Sequence, residues 1–233
     1  MAKLEKQSLS APPGQIKHDD YRFGTLDASS YDDNGTLATG DDEMFFGSGN
    51  RPTNYSIVVD DKANIELGLK IHYRQGDDIM PSLNDGKGNL DYQAPAGTQV
   101  VDPAHNVPSA NPNRAAWNFD FSVNTGIDGS TDTLDDFNFR IIIASGDGEK
   151  GVFDLQHLGP GNTPWINTSL SGFADEDGTD PQLSQNSVNL GFNFFTPIFG
   201  ADRLNAGESY DVTLQAFDGG KIVAQLHDYI LLV

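Results

Sequence analysis

The chain has 233 residues, of which 37% are hydrophobic, and its 34 acidic residues against 14 basic ones give a formal net charge of −20. This length and apolar content suffice for one large domain with a real core. The negative charge opposes binding to nucleic acid and to anionic membrane surfaces, and the absence of cysteine excludes disulfides and thiolate metal sites.

The N-terminal segment, residues 1–50, is predicted to be an extended and partly disordered arm. It contains few apolar residues, and its first 18 positions hold three lysines against one glutamate. Such an arm is either plain disorder or a contact element that docks on a neighbouring subunit. It lacks the apolar stretch of a classical signal peptide, and no segment approaches the roughly 18 apolar residues of a membrane span. We therefore expect no membrane insertion.

Residues 51–233 are predicted to form a single all-β domain, because apolar and polar residues alternate with period two along most of this range. Clean alternation indicates strands with one buried and one wet face, which is typical of antiparallel sheets. The prediction is an antiparallel β-sandwich, jelly-roll or immunoglobulin-like, of about eight strands. The alternating runs are 55–59, 65–73, 117–123, 137–143, 152–155, 188–194, 210–216 and 222–233.

Two connections stand out between these runs. Residues 217–221 read Phe-Asp-Gly-Gly-Lys, and Asp-Gly and Gly-Gly supply the positive φ angles of a tight hairpin, so the last two strands are expected to pair. Residues 76–116 are rich in Pro, Asn, Gly and Asp and are predicted to be a long loop.

Aspartate outnumbers glutamate 28 to 6, and it clusters in turn-like segments. Calcium takes six to eight oxygen ligands, which flexible loops rich in Asp, Asn and Gly provide. Calcium binding is therefore predicted for three segments, although solvated acidic turns would have the same composition and no segment completes an EF-hand. The candidate ligands are Asp175, Asp177 and Asp180; Asp128, Asp132, Asp135 and Asp136; and Asn84, Asp85, Asn89 and Asp91.

No pattern in the sequence indicates an enzyme. There is no nucleophile elbow and no phosphate-binding loop, and nothing singles out a carboxylate pair for glycoside hydrolysis. The histidines are scattered, and His72 and His227 fall on polar phases of strands, which favours surface positions. Trp117 falls in phase with neighbouring aromatics and is expected in the core. Trp165 lies in a turn-rich stretch and is a candidate carbohydrate-stacking residue.

Several segments resemble bacterial extracellular proteins that carry the PEP-CTERM sorting signal. The similar stretches are 55–61, 64–69, 117–124, 134–143, 185–192 and 206–233. The resemblance implies a secreted, non-enzymatic β-sandwich at the cell surface or in an extracellular matrix. The sorting motif itself is not among the matching residues, and the resemblance assigns no catalytic or binding residue.

The leading interpretation is a calcium-stabilised extracellular or cell-surface protein that assembles with copies of itself into a layer, filament or matrix. The alternatives are a carbohydrate-binding module for an extracellular glycan, using Trp165 and residues 76–116, and a decoration protein on the surface of a virion or other particle. Each is compatible with an acidic sandwich that lacks catalytic motifs.

Overall fold

The structure is a computed structural model that describes residues 20–26, 54–74, 76–81, 83–84, 90–102, 106–155, 182–191 and 203–233. Regular structure in these ranges is β-strand, apart from two 3₁₀ turns at Ile127–Gly129 and Leu134–Asp136. No helix in them is long and apolar enough to cross a membrane. The strands in chain order are β1 Asp20–Gly24, β2 Tyr55–Asp60, β3 Ile65–Tyr73, β4 Leu83–Asn84, β5 Leu90–Ala94, β6 Val101–Asp102, β7 Val107–Pro108, β8 Trp117–Asn124, β9 Asn138–Ser145, β10 Lys150–Asp154, β11 Leu183–Val188, β12 Ser209–Asp218 and β13 Lys221–Leu232.

Two sheets form a sandwich-like arrangement, as the alternation predicted. The first sheet has the order β1-β2-β3-β8-β11, and the second has the order β10-β9-β12-β13-β5-β4. The prediction of a purely antiparallel fold is wrong at one place, because β5 runs parallel to β13. A parallel pair needs a long crossover, and most of the chain lies between these two strands.

The core lies between the sheets and is built from their facing apolar residues. Trp117, Phe119 and Phe121 on β8 are fully buried, which confirms the core position predicted for Trp117. The Trp117 ring lies 6.0 Å from that of Tyr210 on β12. Burial of such large side chains contributes about 1.5–3 kcal/mol each, so this layer stabilises the contact between the sheets.

The predicted C-terminal hairpin is present. Strands β12 and β13 pair antiparallel from Ser209–Leu231 to Asp218–Lys221. Gly219 and Gly220 form the turn with φ of 53° and 82°, a backbone conformation that glycine adopts without strain. The turn residues therefore predicted this hairpin correctly.

Two segments predicted to be irregular contribute strands. Residues 20–24, inside the predicted arm, form β1 on the edge of the first sheet. Residues 76–116, predicted to be a long loop, contain β5 in the second sheet and the β6–β7 hairpin. The turn-like composition of both segments is the reason that these strands were not predicted. Leu90, Tyr92 and Ala94 nevertheless alternate along β5 and are buried.

The strand predicted at 188–194 is contradicted in residues 189–191, and residues 192–194 lie outside the described residues. The observed strand β11 covers Leu183–Val188, and residues 190–191 form a turn. The Asn189 Oδ1 atom accepts a 2.8 Å hydrogen bond from the Gly191 amide, a local contact that favours a turn over a strand. Leu190 is buried in this turn, so its apolar character reflects burial rather than a strand.

Candidate functional site

The polar phase of β3 is buried, which the alternation did not predict. Glu66, Lys70 and His72 expose 0%, 1% and 5% of their surface. They lie on the outer face of the first sheet, since the intervening apolar residues of β3 point into the core between the sheets. The prediction of a surface position for His72 is therefore wrong, whereas His227 on β13 is half-buried.

Lys70 and Asp120 form an ion pair at the centre of this face. They are directly opposite each other on the antiparallel strands β3 and β8, and Lys70 Nζ lies 3.2 Å from Asp120 Oδ2. A second carboxylate, that of Asp78, lies 3.7 Å from the same nitrogen. Both the Lys70 and the Asp120 side chains are excluded from solvent, so their charges compensate each other in a low-dielectric environment.

His72 holds the other oxygen of the Asp120 carboxylate. Its Nε2 atom lies 2.9 Å from Asp120 Oδ1, and its Nδ1 atom lies 2.8 Å from the Tyr73 carbonyl oxygen. A carbonyl and a carboxylate only accept hydrogen bonds, so this geometry favours the protonated imidazole, in which both ring nitrogens donate. Burial lowers the pKa of His72, but the hydrogen bond to Asp120 and its negative charge outweigh that effect and leave the pKa raised.

An apolar layer covers the neighbouring part of this face. The Tyr55 ring lies 4.8 Å from Lys70 Nζ, within the range of a cation–π contact. The Leu26 side chain packs onto Gly68, where an added Cβ would lie 2.6 Å from Leu26 Cδ2. Together the apolar residues form a small second core, made of Leu26, Tyr55, Ile57, Val59, Ile127 and Leu183.

A further ion pair extends the cluster along β3. Arg22 on the edge strand β1 donates to Glu66 at 3.0 Å. Arg22 is one-third exposed, whereas Glu66 is fully buried, so the arginine shields the carboxylate from solvent. The outer face thus combines compensated charges with apolar packing, and it gives the first sheet a second buried side.

The sequence contains a signal for this cluster, although alternation alone does not reveal it. Alternation assigns Lys70 and His72 to one face of β3 and Asp120 to one face of β8, but it does not state whether that face is covered. Opposite charges on two strands that pair are a cross-strand signal. Once β3 and β8 are placed side by side, Lys70 and Asp120 become neighbours.

The candidate calcium ligands near residue 130 lie in and between the two 3₁₀ turns. Asp132, Asp135 and Asp136 are exposed. The Asp136 carboxylate accepts hydrogen bonds from the Thr133 amide at 2.8 Å and from the Thr133 hydroxyl at 3.0 Å, and so it caps a 3₁₀ turn. Asp128 lies in the preceding 3₁₀ turn. Within the described ranges, no group of three or more acidic or histidine side chains could hold a metal ion.

The other candidates are only partly represented. Asp91 lies within β5 and is half-buried, and Asn84 lies in β4, so neither belongs to an open loop. The remaining candidates fall outside the described residues; they are Asp85, Asn89, Asp175, Asp177, Asp180 and Trp165. The calcium and carbohydrate hypotheses therefore stay predictions.

Comparison with known proteins adds no relative. The chain matches no protein family, and neither the curated proteins nor the solved structures contain a significant match. Function is therefore argued from the residues themselves.

Proposed function

We propose that this protein is a non-enzymatic structural or interaction protein of an extracellular or cell-surface layer, filament or matrix, which assembles with copies of itself and is stabilised by calcium. The observation that carries the proposal is the unbalanced charge of the surface. Among the described residues, the exposed basic side chains are those of Lys62, Lys150 and Lys221, and the exposed acidic ones are those of Asp61, Asp77, Asp132, Asp135, Asp136, Asp147, Glu149 and Asp218.

The composition sets this imbalance, and several further basic residues are committed within the fold. Lys70 is buried against Asp120. The Arg140 guanidinium lies 4.2 Å from the Phe217 ring and donates to Gln215. Arg74, also buried, donates to the Asn111 carbonyl oxygen at 2.8 Å. These cations stabilise the interior and leave carboxylates to dominate the surface.

An acidic surface of this kind repels its own copies unless cations screen or bridge the carboxylates. Calcium suits that role, because it binds several carboxylate and amide oxygens in flexible geometry. The three Asp-rich segments predicted from the sequence are the proposed ligand sources. In this account calcium both stabilises the fold and allows copies to approach.

The β6–β7 hairpin is the proposed contact element. Val100, Val107 and Val101 are 60%, 48% and 44% exposed. At the base of the hairpin, the Gln99 amide donates a 2.9 Å hydrogen bond to the Arg114 carbonyl oxygen. Apolar side chains exposed on a hairpin suit a protein–protein contact. Jelly-roll and immunoglobulin-like sandwiches serve capsids, lectins and cell-surface modules, and the PEP-CTERM resemblance favours the same setting.

Thermal unfolding in calcium, in magnesium and in EDTA tests the calcium part. We expect the melting temperature to rise with calcium and to fall with EDTA, because an ion that binds only the folded state stabilises it. A melting temperature that responds to none of these, or equally to both ions, contradicts calcium binding.

Size-exclusion chromatography of the full chain and of a form lacking residues 1–18 tests the arm, which we expect to contribute to assembly. An unchanged oligomeric state removes the arm from the account.

A further inference from the structure

The amine of Lys70 and the carboxyl group of Asp120, which together could form an amide, lie side by side. The Nζ and Oδ2 atoms are 3.2 Å apart, so the nitrogen lies beside the carboxyl group whose Cγ atom it would attack. The two residues are held there by the pairing of β3 with β8, since they are register partners. Both side chains are excluded from solvent.

We propose that Lys70 and Asp120 condense into an intramolecular isopeptide bond that joins β3 to β8 covalently. The inference goes beyond the proposed function and does not depend on it. The Lys70 Nζ atom bonds to Asp120 Cγ, the Cγ–Oδ2 bond breaks, and Oδ2 leaves as water with two protons from the lysine ammonium group. The reaction converts one ammonium and one carboxylate into one amide and one water, and it needs no oxidant, reductant or other reactant.

Neighbouring groups supply the proton transfers. Asp78, 3.7 Å from Lys70 Nζ, accepts a proton from the ammonium group and so frees the nitrogen lone pair for attack. It then returns that proton to the departing Oδ2 atom. His72 donates its Nε2 proton in a hydrogen bond to Asp120 Oδ1 at 2.9 Å, which stabilises the negative charge that develops on this oxygen during attack. Asp78 and His72 are positioning and proton-transfer residues in this step.

The surroundings favour condensation over hydrolysis. In water, solvation of the ammonium and carboxylate groups opposes amide formation, and the buried site removes that solvation. Strand pairing makes the attack intramolecular, which corresponds to effective concentrations of about 10⁵–10⁸ M in well-oriented systems. Among the described residues, Asp120 Oδ2 accepts no hydrogen bond of good geometry, and its charged contact is the ion pair with Lys70.

The intact mass of the folded full-length protein tests the proposal. We expect a mass lower by one water than the sequence mass, and a tryptic map in which the β3 and β8 peptides are joined and cleavage after Lys70 is lost. The Lys70→Arg and Asp120→Ala variants should have their full sequence masses. The matched control Lys62→Arg, at an exposed lysine, should keep the loss of water.

Specific outcomes separate the bond from other causes of a lost water. A loss of water that persists in Lys70→Arg, or that maps away from residues 70 and 120, overturns the proposal, and so does a full mass for the folded wild type. If Lys70→Arg does not fold, the wild-type mass and tryptic map still decide, and Asp78→Asn tests the proton transfer because it keeps both reacting residues. We expect the bond to form at least tenfold more slowly in Asp78→Asn, and an unchanged rate removes Asp78 from the mechanism.

Discussion

The Ser56 hydroxyl on β2 donates a 2.7 Å hydrogen bond to Asp228 Oδ1 on β13, so a polar contact joins the two sheets through the middle of the core. The Tyr92 hydroxyl lies 3.2 Å from the same serine oxygen. Asp228 is fully buried. Burial raises the pKa of Asp228 well above its ordinary value and outweighs the opposing hydrogen bonds from Ser56 and the Leu90 backbone, which favours the neutral form of the carboxyl group.

Replacement of Asp228 by Asn should stabilise the protein increasingly as pH rises. The folded state holds a proton that the unfolded chain releases above a pKa of about 3.9, so the contribution of this carboxyl group to stability is complete below that pH and is lost as pH rises toward the folded pKa. Asn keeps an acceptor for Ser56 and does not titrate. We expect similar stabilities near pH 4 and a gain of about 1–3 kcal/mol for Asp228→Asn at pH 8. Urea unfolding across this pH range measures the difference, and a difference that is constant with pH contradicts a neutral Asp228.

Substitution of Gly68 should disturb the packing over the first sheet. An added Cβ would lie 2.6 Å from Leu26 Cδ2 and 3.2 Å from Tyr55 Cδ1, so Gly68→Ala should cost about 1–3 kcal/mol of stability through overpacking. Gly24→Ala is the matched control, because nothing lies within 4 Å of its added Cβ. The double variant with Leu26→Ala should cost less than the sum of its parts. Additive costs in urea unfolding would contradict a direct contact between these residues.

Asn189 should be necessary for the attachment of the 106–116 segment to β11. Its buried side chain accepts a hydrogen bond from the Ala115 amide at 2.9 Å and donates to the Ala115 and Trp117 carbonyls at 2.9 Å each. Asn189→Ala leaves these backbone groups without that partner and should cost about 2–4 kcal/mol. Asn205→Ala, at an exposed position, should change the stability by less than about 0.5 kcal/mol. An equal loss of stability in the two variants would contradict a stabilising role for the Asn189 hydrogen bonds.

The exposed valines of the β6–β7 hairpin should matter for assembly and not for folding. A double variant, Val100→Thr with Val107→Thr, keeps β-branched side chains that suit strands and makes the hairpin surface more polar. We expect weaker calcium-dependent assembly in light scattering, with an unchanged unfolding midpoint. Val152→Thr, at a 49% exposed position on the edge strand β10, is the control for a general loss of surface apolarity. If Val152→Thr weakens assembly and the hairpin variant does not, the contact lies at the β10 edge instead.

Local sequence chemistry predicted the elements that depend on local contacts. The Asp-Gly-Gly turn gave the β12–β13 hairpin, and the alternation of residues 65–73 gave the bounds of β3. Alternation could not show that both faces of β3 are buried, because the cover comes from distant residues: Leu26 packs onto Gly68, and the Tyr55 ring lies against Lys70. The parallel pairing of β5 with β13 depends equally on contacts far apart in the chain.

The candidate site was missed for the same reason. Lys70 and Asp120 are fifty positions apart in the numbering, and only the register of β3 against β8 brings them together. Aspartate clusters in turns predict calcium ligands, yet the same carboxylates can bond the local backbone. Asp136 uses its carboxylate to cap its own 3₁₀ turn. Alternation alone assigns Lys70 and His72 to a solvent-facing position, and yet these residues have the most buried charge contacts.

Sedimentation velocity of the full chain, in calcium chloride and in sodium chloride of equal ionic strength, tests the proposed calcium-dependent assembly most directly. Because the ionic strength is matched, general screening acts equally in both buffers. The account predicts species larger than the monomer in calcium, which return to the monomer after addition of EDTA. Identical sedimentation coefficients in the two salts would contradict it.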